Sequence, residues 1–532
     1  MKRLAVLLAL VALACDPPFS APVYVAALRV TPDSANLETG GMLQLSVVAT
    51  DSAGHTLGSV PVVWTSSVDS IASVTATGLV HCFRPGFVTI SAAAAGAAAK
   101  AFLTITVHVA AVRIDQPPVT LVPGGTFPFS AYARGDSGQV LLGRPLAWAT
   151  SDTAVLTVSA AGVASARTTG SAFVRVTLGS FRDSVPVTVR LVRFVQLTTG
   201  EWDHTCGLTT DSATYCWGRN ELGQLGISSG GAPVPAPVSP STTPRFATLA
   251  VGATFTCGDQ STGVVYCWGS SAGGRLGAGV TTVTTTIPHP VFGSAGLSGP
   301  SASWAHACAL AGAVPVCWGR NPAAGGTAGV NWVPTVVTLG ASFTHVAAGP
   351  DFTCAINSDS AAFCWGQNLE GELGSGTLGE GNPVPTAVAG GLRFVQLTGG
   401  WYHACGLTST GAAYCWGSNV VGELGSGDTA SLSITPVAVA DGLSFSSLSA
   451  GGGRTCGLTT SGVLYCWGNA ISLTPSPQGG TLTFASITVG DDAICGIGTD
   501  GVAYCWGGNV GGQVGDGSLI ARSTPTRVLG QP

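Results

Sequence analysis

The chain has 532 residues, 45% hydrophobic and only 9% charged, with a formal net charge of −5; the length alone implies roughly two to four domains. No block of Lys or Arg occurs, so the basic footprint that neutralises phosphates is missing and nucleic-acid binding is excluded as a function class. Gly, at 76 residues, is about twice ordinary usage, and apolar residues do not recur at helical spacing beyond the N-terminus, which points to β-structure with many turns.

The first element is an address. Lys2 and Arg3 precede an apolar run, residues 4–13. That run is too short to cross about 30 Å of hydrocarbon, which takes roughly 20 residues, and fits the apolar region of a signal peptide. Ala12-Leu13-Ala14-Cys15 follows and resembles a bacterial lipobox, with Ala12 where Leu is more usual. The resemblance implies lipidation of Cys15; the plainer alternative is ordinary cleavage nearby. Residues 1–15 are expected to be a lipoprotein signal peptide and 16–26 a tether. The mature chain would then sit in the cell envelope, on the inner or outer membrane or the cell surface, touching the membrane only through its lipid.

Residues 27–108 and 110–192 align without a gap at an offset of 84. Trp64 falls on Trp148, Gly78 on Gly162 and Gly86 on Gly170. Each unit alternates apolar and polar residues in short runs between Gly, Pro and Asp turns. That is the pattern of an antiparallel sandwich with a Trp packed between its sheets. With Trp64-Thr65-Ser66 and Trp148-Ala149-Thr150-Ser151-Asp152, each followed by a Gly-apolar turn, the units resemble the group 2 bacterial Ig-like domain. The resemblance implies an extracellular stalk or spacer. Cys82 has no partner in its unit and reads as a small buried hydrophobe.

Residues 193–532 carry Cys-Trp-Gly seven times, at Cys216, Cys267, Cys317, Cys364, Cys415, Cys466 and Cys505. A period near 50 residues marks a propeller or solenoid. The best-preserved unit, His403 to Gly427, resembles the regulator of chromosome condensation repeat, which implies a seven-bladed β-propeller. The whole chain is therefore expected to be all-β, two Ig-like sandwiches followed by a seven-bladed propeller. A Pro-Val strand precedes units two to seven but not unit one, and a spare copy stands at Thr524-Pro525-Thr526-Arg527-Val528. This predicts that the C-terminal strand completes blade one and seals the ring, which would remove the exposed sheet edges.

Fourteen cysteines remain, two per repeat: Cys206/Cys216, Cys257/Cys267, Cys308/Cys317, Cys354/Cys364, Cys405/Cys415, Cys456/Cys466 and Cys495/Cys505. Each pair flanks a strand–turn–strand, where opposed Cα atoms lie about 4.5–5.5 Å apart, inside the disulfide window. An exported chain keeps such bonds. Metal binding competes, because His204, His306 and His403 lie two residues before a Cys. Only three of the seven repeats carry that His and no Cys-x2-Cys exists, so neither a metal nor a cofactor is expected.

No catalytic arrangement is found. Glu221, Glu370, Glu372 and Glu423 recur at loop positions of the repeat, so periodicity explains them. The turn before each Cys strand varies, however, and Trp202, Asp203, Trp304, Asp351, Trp401, Tyr402, Asp491 and Asp492 are expected to form a ligand-binding rim on one face. The alternative is that each Trp packs on a neighbouring turn beside the His of its blade. The expected function is an exported binding protein with a protein, peptide or glycan partner. The repeat family also includes a secreted propeller that inhibits β-lactamase, and eukaryotic members that exchange nucleotide on a small GTPase, a partner that an exported chain does not meet. A hydrolase hidden in the propeller mouth is the remaining alternative.

Overall fold

The computed structural model describes residues 24–229, 231–240, 244–279, 284–320, 329–337, 340–469 and 471–532. The signal peptide and Cys15 lie outside them. Two compact units are present: residues up to Ala111 with Ala133–Gly143, and Val112–Tyr132 with Arg144–Pro532.

In the first unit Gly86–Ala94 and Ala97–Thr106 form a long hairpin. Val63–Ser66 pairs with one edge, and Ser34–Glu38 runs parallel along the other. A three-stranded sheet of Met42–Gln44, Leu79–Cys82 and Ala72–Val74 makes a second layer. Val30, Leu45, Val80, Ile90, Leu103 and the thiol of Cys82 are buried in the core, with Trp64 packed against it. Cys82 is thus the small hydrophobe expected, and burial pushes its thiol up from the ordinary value. The indole explains the repeated glycine. A Cβ on Gly78, at φ +81°, would stand 2.9 Å from the Trp64 ring and 2.7 Å from the Leu45 carbonyl oxygen. Gly162, also at φ +81°, meets Trp148 and the Phe129 carbonyl in the same way.

The second sandwich repeats this plan with one addition. Val119–Leu121 runs parallel to Val187–Val189 on one side and antiparallel to Val238–Pro240 of blade one on the other. Sandwich and blade one therefore share an eight-stranded sheet. The pairing covers what would be the outer edge of blade one.

Seven four-stranded blades follow among the described residues. Blade five is Phe394–Gly399, His403–Thr408, Ala413–Ser418 and Leu432–Ala438, each antiparallel to the next. The Pro-containing strand is the outer strand of the blade whose Cys-Trp-Gly it follows, so Arg522–Arg527 pairs with Ala503–Gly507 in blade seven. Blade one takes Val234–Pro240 as its own outer strand. The expectation that the C-terminal strand completes blade one is therefore wrong.

Closure is made instead by hydrogen bonds outside the strand ladders, among them the Gly517 amide to the Pro235 carbonyl at 2.9 Å. The Thr199 amide donates to Thr488 Oγ1 at 3.2 Å, and the Trp217 indole donates to the Gln513 carbonyl at 2.9 Å, both joining blade one to blade seven. Similar clasps recur around the ring. Trp318, Trp416 and Trp467 donate to Arg275, Glu372 and Glu423 carbonyls of the preceding blade at 2.8–3.0 Å. Trp217, Trp416 and Trp467 are also packed by a Phe from the first strand of their own blade: Phe194 at 5.5 Å, and Phe394 and Phe445 at 5.8 Å between centroids.

Candidate functional site

The turns that enter the Cys strands, equivalent in every blade, lie on one face of the ring. All seven expected pairs are disulfide-bonded, with Cα atoms 4.0–4.1 Å apart across directly opposed strands. Two residues upstream, His204, His306 and His403 are fully buried. Each imidazole Nε2 bonds a threonine of the next blade: Thr256 at 3.1 Å, Thr353 at 2.9 Å and Thr455 at 2.8 Å. Burial pushes all three imidazoles down to about 4, so they are neutral seam groups at physiological pH. The recurring loop after each Cys-Trp-Gly is likewise self-satisfying. Asn220, Asn368, Asn419 and Asn509 accept the amide five residues on at 2.9–3.1 Å. Glu372 and Glu423 accept the amide two residues back at 2.9 Å.

Above this layer the residues four before each Cys alternate in size: Trp202, Ala253, Trp304, Pro350, Trp401, Gly452 and Asp491. The small ones make room for the indoles. Trp202 leans past Ala253 to meet Trp304 edge-on, with centroids 5.3 Å apart. Trp401 packs edge-on against Tyr402 at 6.4 Å. Trp304, Pro350, Asp351, Trp401 and Tyr402 line a hollow of about 160 Å³. Trp202 is 42% and Tyr402 47% exposed, whereas Trp304 and Trp401 are half-buried. Packing on neighbouring turns and exposure as a rim thus coexist.

The acids divide differently. Asp203, in the left-handed region at φ 54°, is held between Arg219 Nη2 at 3.1 Å and Gln513 Nε2 of blade seven at 2.6 Å. It belongs to the seam rather than the open rim. Asp351 faces Arg320 at 3.8 Å. Asp492 is exposed, while Asp491 is half-buried and is pushed up to about 6, first by burial and then by the charge of Asp492.

One residue escaped the sequence reading. Five before each Cys stand Glu201, Gly252, Ser303, Gly349, Gly400, Gly451 and Gly490, and a charge among glycines was the signal available. Glu201 Oε1 accepts from Ser303 Oγ at 2.7 Å, and Oε2 is buried without a partner among the described residues. Burial, then the charges of Asp491 and Asp351, push its carboxyl up to about 7.

That carboxyl is neutral in both folded and unfolded states below its ordinary 4.5, and charged in both above about 7. The wild type should therefore lose stability as pH rises between those values. Glu201→Gln should not, and its advantage should grow from nothing at pH 4.5 to about 3 kcal/mol at pH 7 and then level off. Urea unfolding of both proteins across pH 4–9 measures this, and the buried histidines cancel in the difference.

The sandwiches and blades have relatives. The description "Bacterial Ig-like domain (group 2)" matches residues 24–104 and 108–189. "Regulator of chromosome condensation (RCC1) repeat" matches residues 194–224, 343–372, 394–423 and 445–470 in one form, and 211–258 and 359–407 in another. The chain carries two group 2 bacterial Ig-like domains and a propeller of regulator of chromosome condensation repeats. It is similar to two Arabidopsis thaliana proteins of that repeat type. One is the mitochondrial RCC1 domain-containing protein RUG3, 28% identical over 287 residues; the other is the ultraviolet-B receptor UVR8, 31% identical over 279 residues. Each match covers 50% of this chain and 63% of the relative, so the chain spans less than two thirds of their length. Yeast RCC1 (Prp20) in its complex with Kap60 shares the fold, with a TM-score of 0.53 at 20% identity over 64% of this chain and 85% of that one. Human WBSCR16 does so too, at 0.53 and 18% identity over 59% and 93%.

The repeat accounts for the cysteines, the Cys-Trp-Gly indoles, the loop Asn and the loop acids. It does not demand Trp202, Trp304, Trp401, Tyr402, Glu201 or the Asp491–Asp492 pair, because other blades manage without them.

Proposed function

We propose that the chain is an exported, lipid-anchored binding protein that grips a protein or peptide partner with the turn face of its propeller, the Ig-like domains serving as stalk. The observation that carries this reading is the aromatic group Trp202, Trp304, Trp401 and Tyr402, exposed or half-buried on one face and absent from the other blades. Exposed Trp and Tyr are the commonest hot-spot residues, since they bury much area at little entropic cost. Export is supported by the seven disulfides, which persist in oxidising compartments, and by the apolar run at residues 4–13 ahead of Cys15. Propellers of this fold include yeast Prp20, which has been solved bound to Kap60 and has binding properties to Gsp1p and histones.

The full-length protein, expressed in its own cell, should be labelled by a clickable fatty acid, and Cys15→Ser should not. Crosslinked to the producing organism's surface fraction, the wild type should capture a partner that Trp202→Ala and Tyr402→Ala lose while still melting cooperatively within a few degrees of the wild type. Capture unchanged in both variants would move the site elsewhere, and equal labelling of Cys15→Ser would end the anchor.

A further inference from the structure

The hollow between blades three, four and five has a more specific chemistry than a general hot spot. Its walls are two indoles, a phenol and a proline ring, with a single carboxylate, Asp351. At about 160 Å³ it is smaller than a drug-sized pocket of roughly 300–1,000 Å³, so it takes a head group and not a whole ligand. Aromatic faces carry negative charge density and attract a cation brought within about 6 Å of the ring centre.

The surroundings strengthen that field. Asp351 lies close enough for its charge to act on Glu201, while the Asp491–Asp492 pair of blade seven is offset by Arg454, whose charge acts on both. Arg219 is turned aside to Asp203 and Glu221. Arg320 reaches Asp351 only at 3.8 Å and is itself mostly exposed. The site therefore suits a positive guest. The kind of cation follows from hydrogen bonding. A primary ammonium brings three N–H donors, and of the five lining side chains only Asp351 and the Tyr402 hydroxyl can accept, the two indoles and the proline ring offering no acceptor. Burying it there would leave donors unsatisfied, at a cost. A quaternary ammonium has no donor to satisfy and presents only methyl groups to the rings.

We infer that the hollow between Trp304, Trp401 and Tyr402 binds a quaternary ammonium group of the choline class, with Asp351 as its counter-charge. This rests on the turn face being the binding face of the protein. It narrows that reading to one chemistry, carried on the partner.

The test is calorimetric titration of the full-length protein with choline chloride and with 3,3-dimethylbutan-1-ol, the neutral carbon analogue of the same shape. Choline should bind about tenfold more tightly than the alcohol, the difference being the cation–π contribution. Trp401→Phe should keep part of the affinity and Trp401→Ala should abolish it, while Phe87→Ala, at an exposed ring of the first Ig-like domain, should leave it unchanged. Arg320→Gln frees Asp351 and should tighten choline binding by about threefold, the size of an exposed ion pair; because this is a gain, misfolding cannot mimic it. Equal binding of choline and the alcohol, or no binding of either to a protein that melts normally, overturns the inference. If choline fails while Trp202→Ala and Tyr402→Ala still lose the crosslinked partner, the binding face stands and only its chemistry is wrong.

Discussion

Refolded in the presence of a reductant, the propeller should not regain its structure at 25 °C. Each disulfide closes a loop of nine or ten residues. In the chain-entropy account, such a loop contributes about 2–3 kcal/mol by restricting the unfolded chain. Seven of them sum to roughly 15–20 kcal/mol, more than the 5–15 kcal/mol by which a whole domain is ordinarily stable. The blades have little else in reserve. Between most neighbouring blades the apolar cluster is a thin layer, as with Leu407, Leu424, Phe445, Leu448 and Trp467 between blades five and six. The cysteines are almost fully buried in the folded ring, so reductant added to native protein acts slowly, and the experiment must start from denatured chain. After dilution from guanidinium with reductant, the first Ig-like domain should survive proteolysis, because its only cysteine is the unpaired Cys82, and the propeller should be digested. A reduced chain that recovers the oxidised melting curve would show that the ring is held by packing and that the bonds are incidental.

What the sequence revealed of this fold follows from what repetition makes visible. Seven Cys-Trp-Gly copies with a second Cys about ten residues earlier define blade number, strand order and disulfide partners together, because opposed residues in a hairpin are fixed by the turn between them. Repetition does not define phase. A cycle of strands can be cut anywhere, and placing the Pro-containing strand ahead of its Cys-Trp-Gly rather than behind it made Arg522–Arg527 a strand of blade one instead of blade seven. The sheet shared by Val119–Leu121 and Val238–Pro240 was illegible for a different reason. Pairing between strand edges runs backbone to backbone and needs no particular side chain. At the candidate face, the three Trp were legible as departures from the repeat. Asp203 stood out equally but is drawn into the seam by Arg219 and Gln513, partners supplied by loops remote in sequence. Glu201 went unseen although it departs from glycine at its own position, since its burial depends on Ser303 two blades away.

The two sets of tryptophans should part company when mutated. Trp416→Ala removes an indole that is wholly buried, packed by Phe394 and donating to the Glu372 carbonyl at 2.9 Å. Truncating a core Trp costs about 3–5 kcal/mol, and the abandoned carbonyl adds about 1 kcal/mol. The void cannot be filled by collapse, because the glycines around it are fixed by contact. A Cβ on Gly417, at φ +101°, would lie 2.4 Å from the Tyr402 carbonyl oxygen, and one on Gly374, at φ +60°, would lie 2.7 Å from the Trp416 ring itself. The loss also opens the seam between blades four and five, and in a closed ring one open seam relieves the constraint on every other. Trp416→Ala should therefore destabilise the protein by about 4–5 kcal/mol, and the disulfides should keep the unfolded chain from spreading fully. Trp202→Ala loses an indole that is 42% exposed and one edge contact with Trp304, for which about 1 kcal/mol is expected. Guanidinium unfolding of the two variants beside the wild type measures the gap. Similar midpoints for both would mean that the clasping and rim indoles share one energetic role, and the division between blade structure and binding face would fail.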